Sequence, residues 1–243
     1  MSEFRTENLG KGFKICVSDS HGFGTDAVLL ADFASPGSGD SACDLCAGCG
    51  IVTVLWRRNG RGGRITAVEL MPEACVLAQR SFELNGLDPD TGVINCDLRE
   101  IGSVLPHGCM DVVAVNPPYK ARGSGVVSGS PSASAARHET MCSLSDVCAA
   151  AAYLLRFRGR LCMCNRPERL ADAFEEMRRH GIEPKRLRFV SKSPGSRPWL
   201  FLLEGTKGGR PFLNVEPELI MYSREGVYSS EVREIYGDCG KEN

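Results

Sequence analysis

The sequence predicts an α/β fold with a mostly parallel, seven-stranded sheet and helices on both faces. From Gly39 onward, short apolar segments rich in β-branched residues alternate with segments of helical periodicity, a pattern typical of βαβ units. Three of the strand-like segments end at Glu69, Asp97 or Asn116. Such polar groups would meet at the carboxyl edge of the sheet, where open α/β sheets bind ligands.

We expect an N-terminal extension over residues 1–38 that packs on one domain over residues 39–243. The predicted strands are residues 42–47, 64–69, 92–96, 110–115, 160–165, 185–190 and 199–204. The predicted helices are residues 26–33, 51–58, 72–85, 143–157 and 167–180. The helix at 72–85 is the clearest, because Pro72 suits a first helical turn and its apolar residues recur at helical spacing. Residues 121–139 lack periodicity, so they predict a functional lid or a disordered loop.

The charge is distributed unevenly along the chain. The net charge is −1, but residues 1–120 hold 10 basic and 15 acidic side chains, whereas residues 121–243 hold 19 and 15. A basic second half is compatible with a nucleic-acid partner and does not require one. The longest apolar run, residues 147–155, is too short to cross a bilayer, and we expect a cytoplasmic protein without a membrane partner.

The twelve cysteines raise the question of a metal site. CDLCAGC places Cys43, Cys46 and Cys49 at a spacing compatible with a metal or iron–sulfur cluster, but position 53, where a fourth ligand would follow, is threonine. We therefore prefer reduced cysteines that act as small core residues, and we expect no metal.

The strand predicted at 110–115 runs into the motif VNPPYK at residues 115–120. Two successive prolines cannot donate to a sheet ladder, so the strand must end there. Asn116 and Tyr119 are thereby held on a stiff turn at the carboxyl edge of the sheet. By itself, the motif could also be a strand exit without chemistry.

A glycine-containing loop, DLCAGCG at residues 44–50, follows the first sheet strand and opens a helix. Glycines there allow close approach of the backbone to a ligand, and the helix N-terminus favours a negative group. Glu69 ends the second strand, where an acid can accept hydrogen bonds from ribose hydroxyls. Asp97 ends the third strand, where its carboxylate could accept from an adenine amino group.

With NPPY, these motifs resemble the class I S-adenosylmethionine-dependent methyltransferases, and NPPY resembles the members that methylate amide or exocyclic amine nitrogens. FGTDAVLLADFA (23–34), ARHE (136–139), KGGR (207–210) and the segment 216–237 are similar to the tRNA1(Val) adenine-N6 methyltransferases and their close bacterial relatives. The resemblance implies a Rossmann-like class I methyltransferase fold, S-adenosyl-L-methionine as cofactor and an RNA substrate, with tRNA favoured.

The resemblance also implies residue roles. Asn116 and Pro117 would accept the two hydrogens of the target amine, with Pro118 and Tyr119 completing the catalytic turn and Tyr119 stacking on the base. Cofactor contacts would come from residues along the carboxyl edge: Thr25, Asp26, Asp44, Cys46, Ala47, Gly48, Gly50, Glu69, Leu70, Asp97, Leu98 and Asn116. Substrate phosphates or sugars would contact Lys120, Arg122, Arg137 and His138.

One position departs from the family pattern, because Cys46 stands where a first glycine is usual. We expect the turn to survive and the affinity for the cofactor to be reduced. Three other functions stay open: methylation of a protein glutamine at N5, methylation of DNA adenine at N6, and cofactor binding by an RNA-associated protein without turnover.

Overall fold

The computed structural model describes residues 4–87, 89–117 and 142–237. Its longer strands are β1 Arg5–Gly10, β2 Phe13–Val17, β3 Ser41–Leu45, β4 Arg64–Glu69, β5 Thr91–Asn95, β6 Met110–Val115, β7 Leu155–Asn165, β8 Ile182–Ser191 and β9 Leu200–Lys207. Four short strands follow, β10 Asn214–Val215, β11 Leu219–Ile220, β12 Tyr222–Arg224 and β13 Val227–Tyr228. The helices are α1 Thr25–Ala34, α2 Ile51–Arg58, α3 Pro72–Leu84, α4 Leu144–Leu154, α5 Leu170–Arg179 and α6 Ser230–Tyr236.

The central sheet confirms the predicted fold class. Within the described ranges it has nine strands, ordered β10-β8-β9-β7-β6-β3-β4-β5, with β11 also pairing with β8. Every pairing in this sheet is parallel except those of β9, which runs antiparallel to β7 and β8. The chain proceeds outward from β3 to β5 and then returns to β6 on the other side of β3, so the strand order reverses between β3 and β6. A crevice at such a reversal is the usual ligand site of this architecture.

Sequence patterns located the seven long strands of this sheet, but one helix boundary was wrong. The helix predicted over residues 143–157 ends at Leu154, and β7 begins at Leu155. Leu155 is already extended, with φ −69° and ψ 136°, and it pairs with Met110 of β6. Arg158 then takes a left-handed φ of 69°, which no helix allows. Pairing with the sheet therefore outweighs the helix propensity of this apolar segment.

The predicted N-terminal extension contains a β-hairpin that the sequence did not reveal. Strands β1 and β2 pair with each other and not with the central sheet. The hairpin is joined to α3 by hydrogen bonds from the Cys16 N–H to Ser81 Oγ (2.9 Å) and from the Lys14 N–H to Asn85 Oδ1 (2.8 Å). The domain boundary at residue 38 remains a prediction.

Apolar side chains fill both sides of the sheet. One layer lies under α1, α2 and α3, where Trp56 is buried and its Nε1 donates to the Ala31 carbonyl at 2.9 Å. The other layer lies under α4 and α5. These layers fix the strand ends in place. In the described part of the chain, no helix is both long and apolar enough to cross a membrane.

Candidate active site

A cavity of about 900 Å³ opens at the carboxyl ends of β3 to β6. Its wall is built from six segments of the chain, with residues Asp19, Ser20, His21, Leu45, Cys46, Val68, Glu69, Leu70, Met71, Cys96, Asp97, Leu98, Asn116 and Cys142. This position coincides with the crevice where the strand order reverses, and the volume is that of a small-molecule site.

The loop after β3 bends through left-handed backbone at Cys46, Gly48 and Gly50, whose φ angles are 62°, 56° and 83°. A Cβ built on Gly48 would have no heavy atom within 4 Å, whereas one on Gly50 would lie 2.9 Å from Phe82 Cε1. Gly48 therefore offers open backbone to a ligand. Gly50 is required for the close packing of α2 on α3, and neither glycine lies in the wall of this main cavity.

Glu69 fastens this loop to β4. Its Oε2 accepts from the Gly48 N–H at 2.8 Å, and its Oε1 accepts from the Met71 N–H at 2.9 Å. Each carboxylate oxygen has lone pairs left for a second donor. The carboxylate can therefore hold the loop and accept ribose hydroxyls from the cavity at the same time.

Asp44 has a structural role in addition to the cofactor contact predicted for it, which remains a prediction. The side chain is buried, and its Oδ2 accepts from the Thr53 N–H (3.1 Å) and from Thr53 Oγ1 (3.0 Å). Burial raises the pKa of Asp44 to about 7, against the opposing effect of the Thr53 hydrogen bonds. Asp44 thus anchors the start of α2 beneath the loop.

A smaller cavity of about 370 Å³ adjoins the first one and shares Cys46 and Asn116 with it. Asp26, Asp44, Ala47 and Gly48 also line this smaller space. Thr25 lies at the start of α1, and its hydroxyl is 3.2 Å from the hydroxyl of Tyr236.

Asp97 follows β5 and lies in the cavity wall, as predicted for an adenine contact. Its carboxylate forms an ion pair with Arg99 and accepts from the Arg99 N–H at 2.9 Å. Hydrogen bonding by Arg99 lowers the pKa of Asp97, so the group is an anionic acceptor with one side already engaged. Leu70 and Leu98 supply apolar wall beside it.

Asn116 ends β6 and lines both cavities. The buried thiol of Cys164, on the neighbouring strand β7, donates to Asn116 Oδ1 at 3.2 Å. This contact helps to fix the orientation of the Asn116 amide. Pro117 follows and is buried.

Six of the predicted site residues lie outside the described residues: Pro118, Tyr119, Lys120, Arg122, Arg137 and His138. Their assigned roles remain predictions, as does the lid or loop expected over residues 121–139.

The cavity wall also contains residues that sequence reasoning missed. Asp19, Ser20 and His21 enter it from the segment between β2 and α1, and Cys142 enters it just before α4. The segment SDSHG lies directly ahead of the FGTD motif, and this adjacency is the one signal that could have identified His21. Nothing in the sequence near Cys142 indicates its proximity to the glycine loop.

A basic rim lies on the same edge of the sheet, and we define it as Arg166, Lys192 and Arg197. Arg166 follows β7, and Lys192 and Arg197 lie in the loop after β8; all three are exposed. The guanidinium of Arg166 lies 5.5 Å from the centre of the Trp199 ring. β8 is three strand positions from β6, which is about 15 Å at the usual spacing.

Much of the basic stretch 156–210 is neutralised by acidic neighbours. Glu204 is bound by Arg160 and Arg186 at 2.8 and 3.0 Å, and Glu183 by Arg178 at 2.8 Å. The excess of basic residues in the second half of the chain is therefore an unreliable guide to a nucleic-acid surface.

The cysteines of CDLCAGC separate in the fold. Cys43 and Cys49 are buried, whereas Cys46 reaches the cavity. Across the described ranges, no three His, Cys, Asp or Glu side chains are grouped so that they could hold a metal ion.

The strand order and the position of the cavity are those of the class I methyltransferase fold. The chain is similar to a predicted O-methyltransferase from Agrobacterium tumefaciens, with a TM-score of 0.68, 22% identity and coverage of 87% of this chain and 95% of that one. It is similar to the geranyl diphosphate C-methyltransferase of Streptomyces coelicolor in complex with S-adenosyl-L-homocysteine (TM-score 0.55, 13% identity, 74% and 76% covered). TrmN from Thermus thermophilus is also similar, with a TM-score of 0.53, 19% identity, and 74% of this chain and 48% of that one covered.

Sequence relatives agree with the resemblance carried by the motifs. The chain is 26% identical over 220 residues to a tRNA1(Val) (adenine(37)-N6)-methyltransferase of Histophilus somni, which covers 88% of each chain. It is 25% identical over 219 residues to the enzyme of that name from Porphyromonas gingivalis, covering 86% of this chain and 84% of the relative. No family model matches the chain. The expected similarity to adenine-N6 methyltransferases is thus confirmed over most of the chain.

Proposed function

We propose that this chain transfers a methyl group from S-adenosylmethionine to N6 of an adenine in RNA, with tRNA as the favoured substrate. The observation that carries the proposal is the position of Asn116, which ends the central strand β6 and lines both cavities at the reversal of strand order. The names of the sequence relatives support the same substrate class.

The residues around the cavity fit the proposed cofactor. Gly48 presents backbone without a side chain, Glu69 has acceptor capacity for ribose hydroxyls, and Leu70 and Leu98 provide apolar walls for a base. Asp97 is an anionic acceptor in the same cavity wall. When bound, S-adenosylmethionine supplies an electrophilic methyl group on a sulfonium.

Asn116 and Pro117 would orient the target amine. An adenine N6 is a poor nucleophile because its lone pair is delocalised into the ring. Asn116 Oδ1 and the Pro117 carbonyl would each accept one amino hydrogen, which favours a pyramidal nitrogen with its lone pair directed at the methyl group. Such catalysis rests on positioning and preorganised dipoles and needs no strong base. The Cys164 thiol supports it by fixing the Asn116 amide.

The basic rim supports a polyanionic substrate. Lys192 and Arg197 are exposed on the edge that holds the cavity, at a distance from β6 that a polynucleotide would span. Arg166 and Trp199 would add a planar, cationic surface suited to an unstacked base. A tRNA substrate would place the activity in the cytoplasm.

The proposal is tested by incubating the purified chain with methyl-labelled S-adenosylmethionine and separate pools of tRNA, rRNA, DNA and protein. The proposal expects label in tRNA, recovered as N6-methyladenosine by mass spectrometry of the nucleosides. Label in protein as N5-methylglutamine, or in DNA alone, would refute it and favour the corresponding alternative. Binding of cofactor and RNA without label in any pool would favour a protein without turnover.

A further inference from the structure

Two cysteine thiols meet in the wall of the main cavity. Cys46 lies at the left-handed turn after β3, and Cys142 lies just before α4; both line the cavity. Both side chains also pack against the apolar layer under α4 and α5, and hydrogen bonding between the two thiols is the largest influence on the pKa of each. Elements far apart in the sequence thus bring two oxidisable sulfurs together beside Glu69 and Asn116.

Both sulfurs are carried by firmly held backbone. The Ala47 N–H after Cys46 donates to the Val68 carbonyl at 3.1 Å. Cys142 precedes a capping box in which the Ser143 N–H donates to Asp146 Oδ2 at 2.8 Å and the Asp146 N–H donates to Ser143 Oγ at 3.1 Å. These contacts hold the backbone next to each of the two cysteines.

The two thiols differ in reactivity. The hydrogen bond from Cys46 lowers the pKa of Cys142, whereas the same bond and burial raise the pKa of Cys46. Burial also raises the pKa of Cys96, the third cysteine of the cavity wall. A thiolate is the form that reacts with oxidants, so Cys142 is the expected nucleophile and Cys46 the resolving partner.

We propose that Cys142 and Cys46 form an oxidative modification site that closes to a disulfide when the protein meets a peroxide. The Cys142 thiolate attacks one oxygen of hydrogen peroxide, the O–O bond breaks, and a sulfenic acid and hydroxide form. The Cys46 sulfur then attacks the sulfenic sulfur, its proton leaves with the hydroxyl as water, and the S–S bond forms. Overall, two thiols are oxidised and one peroxide is reduced to two waters.

The disulfide would act on cofactor binding, an inference that rests on the proposed function. Cys46 lies two residues before Gly48, whose backbone lines the smaller cavity, and Cys46 itself lines both cavities. A covalent bond from Cys46 to Cys142 would place two bonded sulfurs in the wall that also holds Glu69 and Asn116. We expect at least a tenfold loss of affinity for S-adenosylmethionine, reversed by dithiothreitol.

The first measurement is a non-reducing peptide map of the full chain after graded hydrogen peroxide. The expected result is a Cys46–Cys142 linkage that disappears on reduction. In a Cys46→Ser variant, dimedone should instead label Cys142 as the trapped sulfenic acid. The matched control is Cys96→Ser, which removes another thiol from the same wall and should leave the linkage intact. A map without the linkage, or with dimedone mainly on other cysteines, would overturn the proposal.

The second measurement is calorimetric titration of S-adenosylmethionine into reduced, oxidised and re-reduced protein. The parent should lose affinity for S-adenosylmethionine on oxidation and recover it on re-reduction. Cys142→Ser, compared with its own unoxidised sample, should show no such change. These two results together would support control of cofactor binding by the disulfide. An unchanged affinity of the disulfide form would overturn that part of the inference. A reduced parent that does not bind the cofactor would contradict the proposed function and leave the peptide map unaffected.

Discussion

The Gly48 N–H donates a 2.8 Å hydrogen bond to Glu69 Oε2, so the glycine loop after β3 is fastened to the acidic end of β4. The other carboxylate oxygen of Glu69 accepts from the Met71 N–H at 2.9 Å. One side chain therefore shapes the loop and offers acceptors to a ligand in the same cavity.

Replacing Glu69 with alanine should weaken S-adenosylmethionine binding much more than RNA binding. Two hydrogen bonds from ribose hydroxyls would be lost, each worth about 1.5–3 kcal/mol when the acceptor is charged. Calorimetry with the cofactor alone measures the change. Glu73→Ala is the matched control, because Glu73 is an exposed carboxylate in the first turn of α3. Equal affinities in the two variants would reduce Glu69 to a structural anchor.

Replacing Cys46 with valine should destabilise the protein more than replacing it with glycine. The position has a φ of 62°, which is strained for a β-branched residue, and left-handed backbone costs about 1–2 kcal/mol for residues with a Cβ. Glycine removes this strain but gains entropy in the unfolded chain, so its stability should stay close to that of the parent. Urea unfolding compares the variants. A valine variant as stable as the glycine variant would contradict the left-handed turn.

The Asp44 side chain should make folding stability depend on pH. Its pKa is raised by burial to about 7, so the folded state binds a proton more tightly than the unfolded state. The associated stability is fully present below about pH 4 and is lost as pH rises through about 7. Asp44→Asn keeps an acceptor for Thr53 and should flatten this part of the profile. The urea midpoints of the parent and of Asp44→Asn should be compared between about pH 5 and 8. An equal fall of the midpoint with rising pH in the two proteins would contradict the assignment of this pH dependence to Asp44.

Binding of RNA should fall steeply with salt, and the basic rim should carry part of that dependence. Replacing Lys192 and Arg197 with alanine removes two phosphate contacts, which should flatten the log–log salt slope by about 1.4 for single-stranded RNA. The matched control replaces Arg64 and Arg210, which are exposed at the opposite edge of the sheet. Filter binding over a range of salt concentrations measures the salt slope of each double variant. The same slope in both double variants would exclude the rim from the interface.

The long strands and their order along the chain could be predicted because buried parallel strands are short apolar runs with polar exits. The β1–β2 hairpin could not, since its first strand, RTENLG, is largely exposed and lacks a strand pattern. The position of Glu69 in the cavity wall could be predicted, because Glu69 ends a strand at the carboxyl edge of the sheet. The contact of Asp44 with Thr53 could not be predicted, because it depends on how α2 packs over the loop. Likewise, the meeting of Cys46 and Cys142 is a tertiary contact that no local pattern encodes.

The central claim is that Asn116 orients the amine that receives the methyl group. Its most direct test is the single-turnover rate of transfer to unmodified tRNA by the parent and by Asn116→Ala, with cofactor affinity measured in parallel. We expect a rate lower by about a hundredfold to a thousandfold, with cofactor affinity within about threefold of the parent. Asn214→Ala, on an exposed edge strand, serves as the control and should keep the parental rate. A transfer rate in Asn116→Ala within about threefold of the parent would contradict the account.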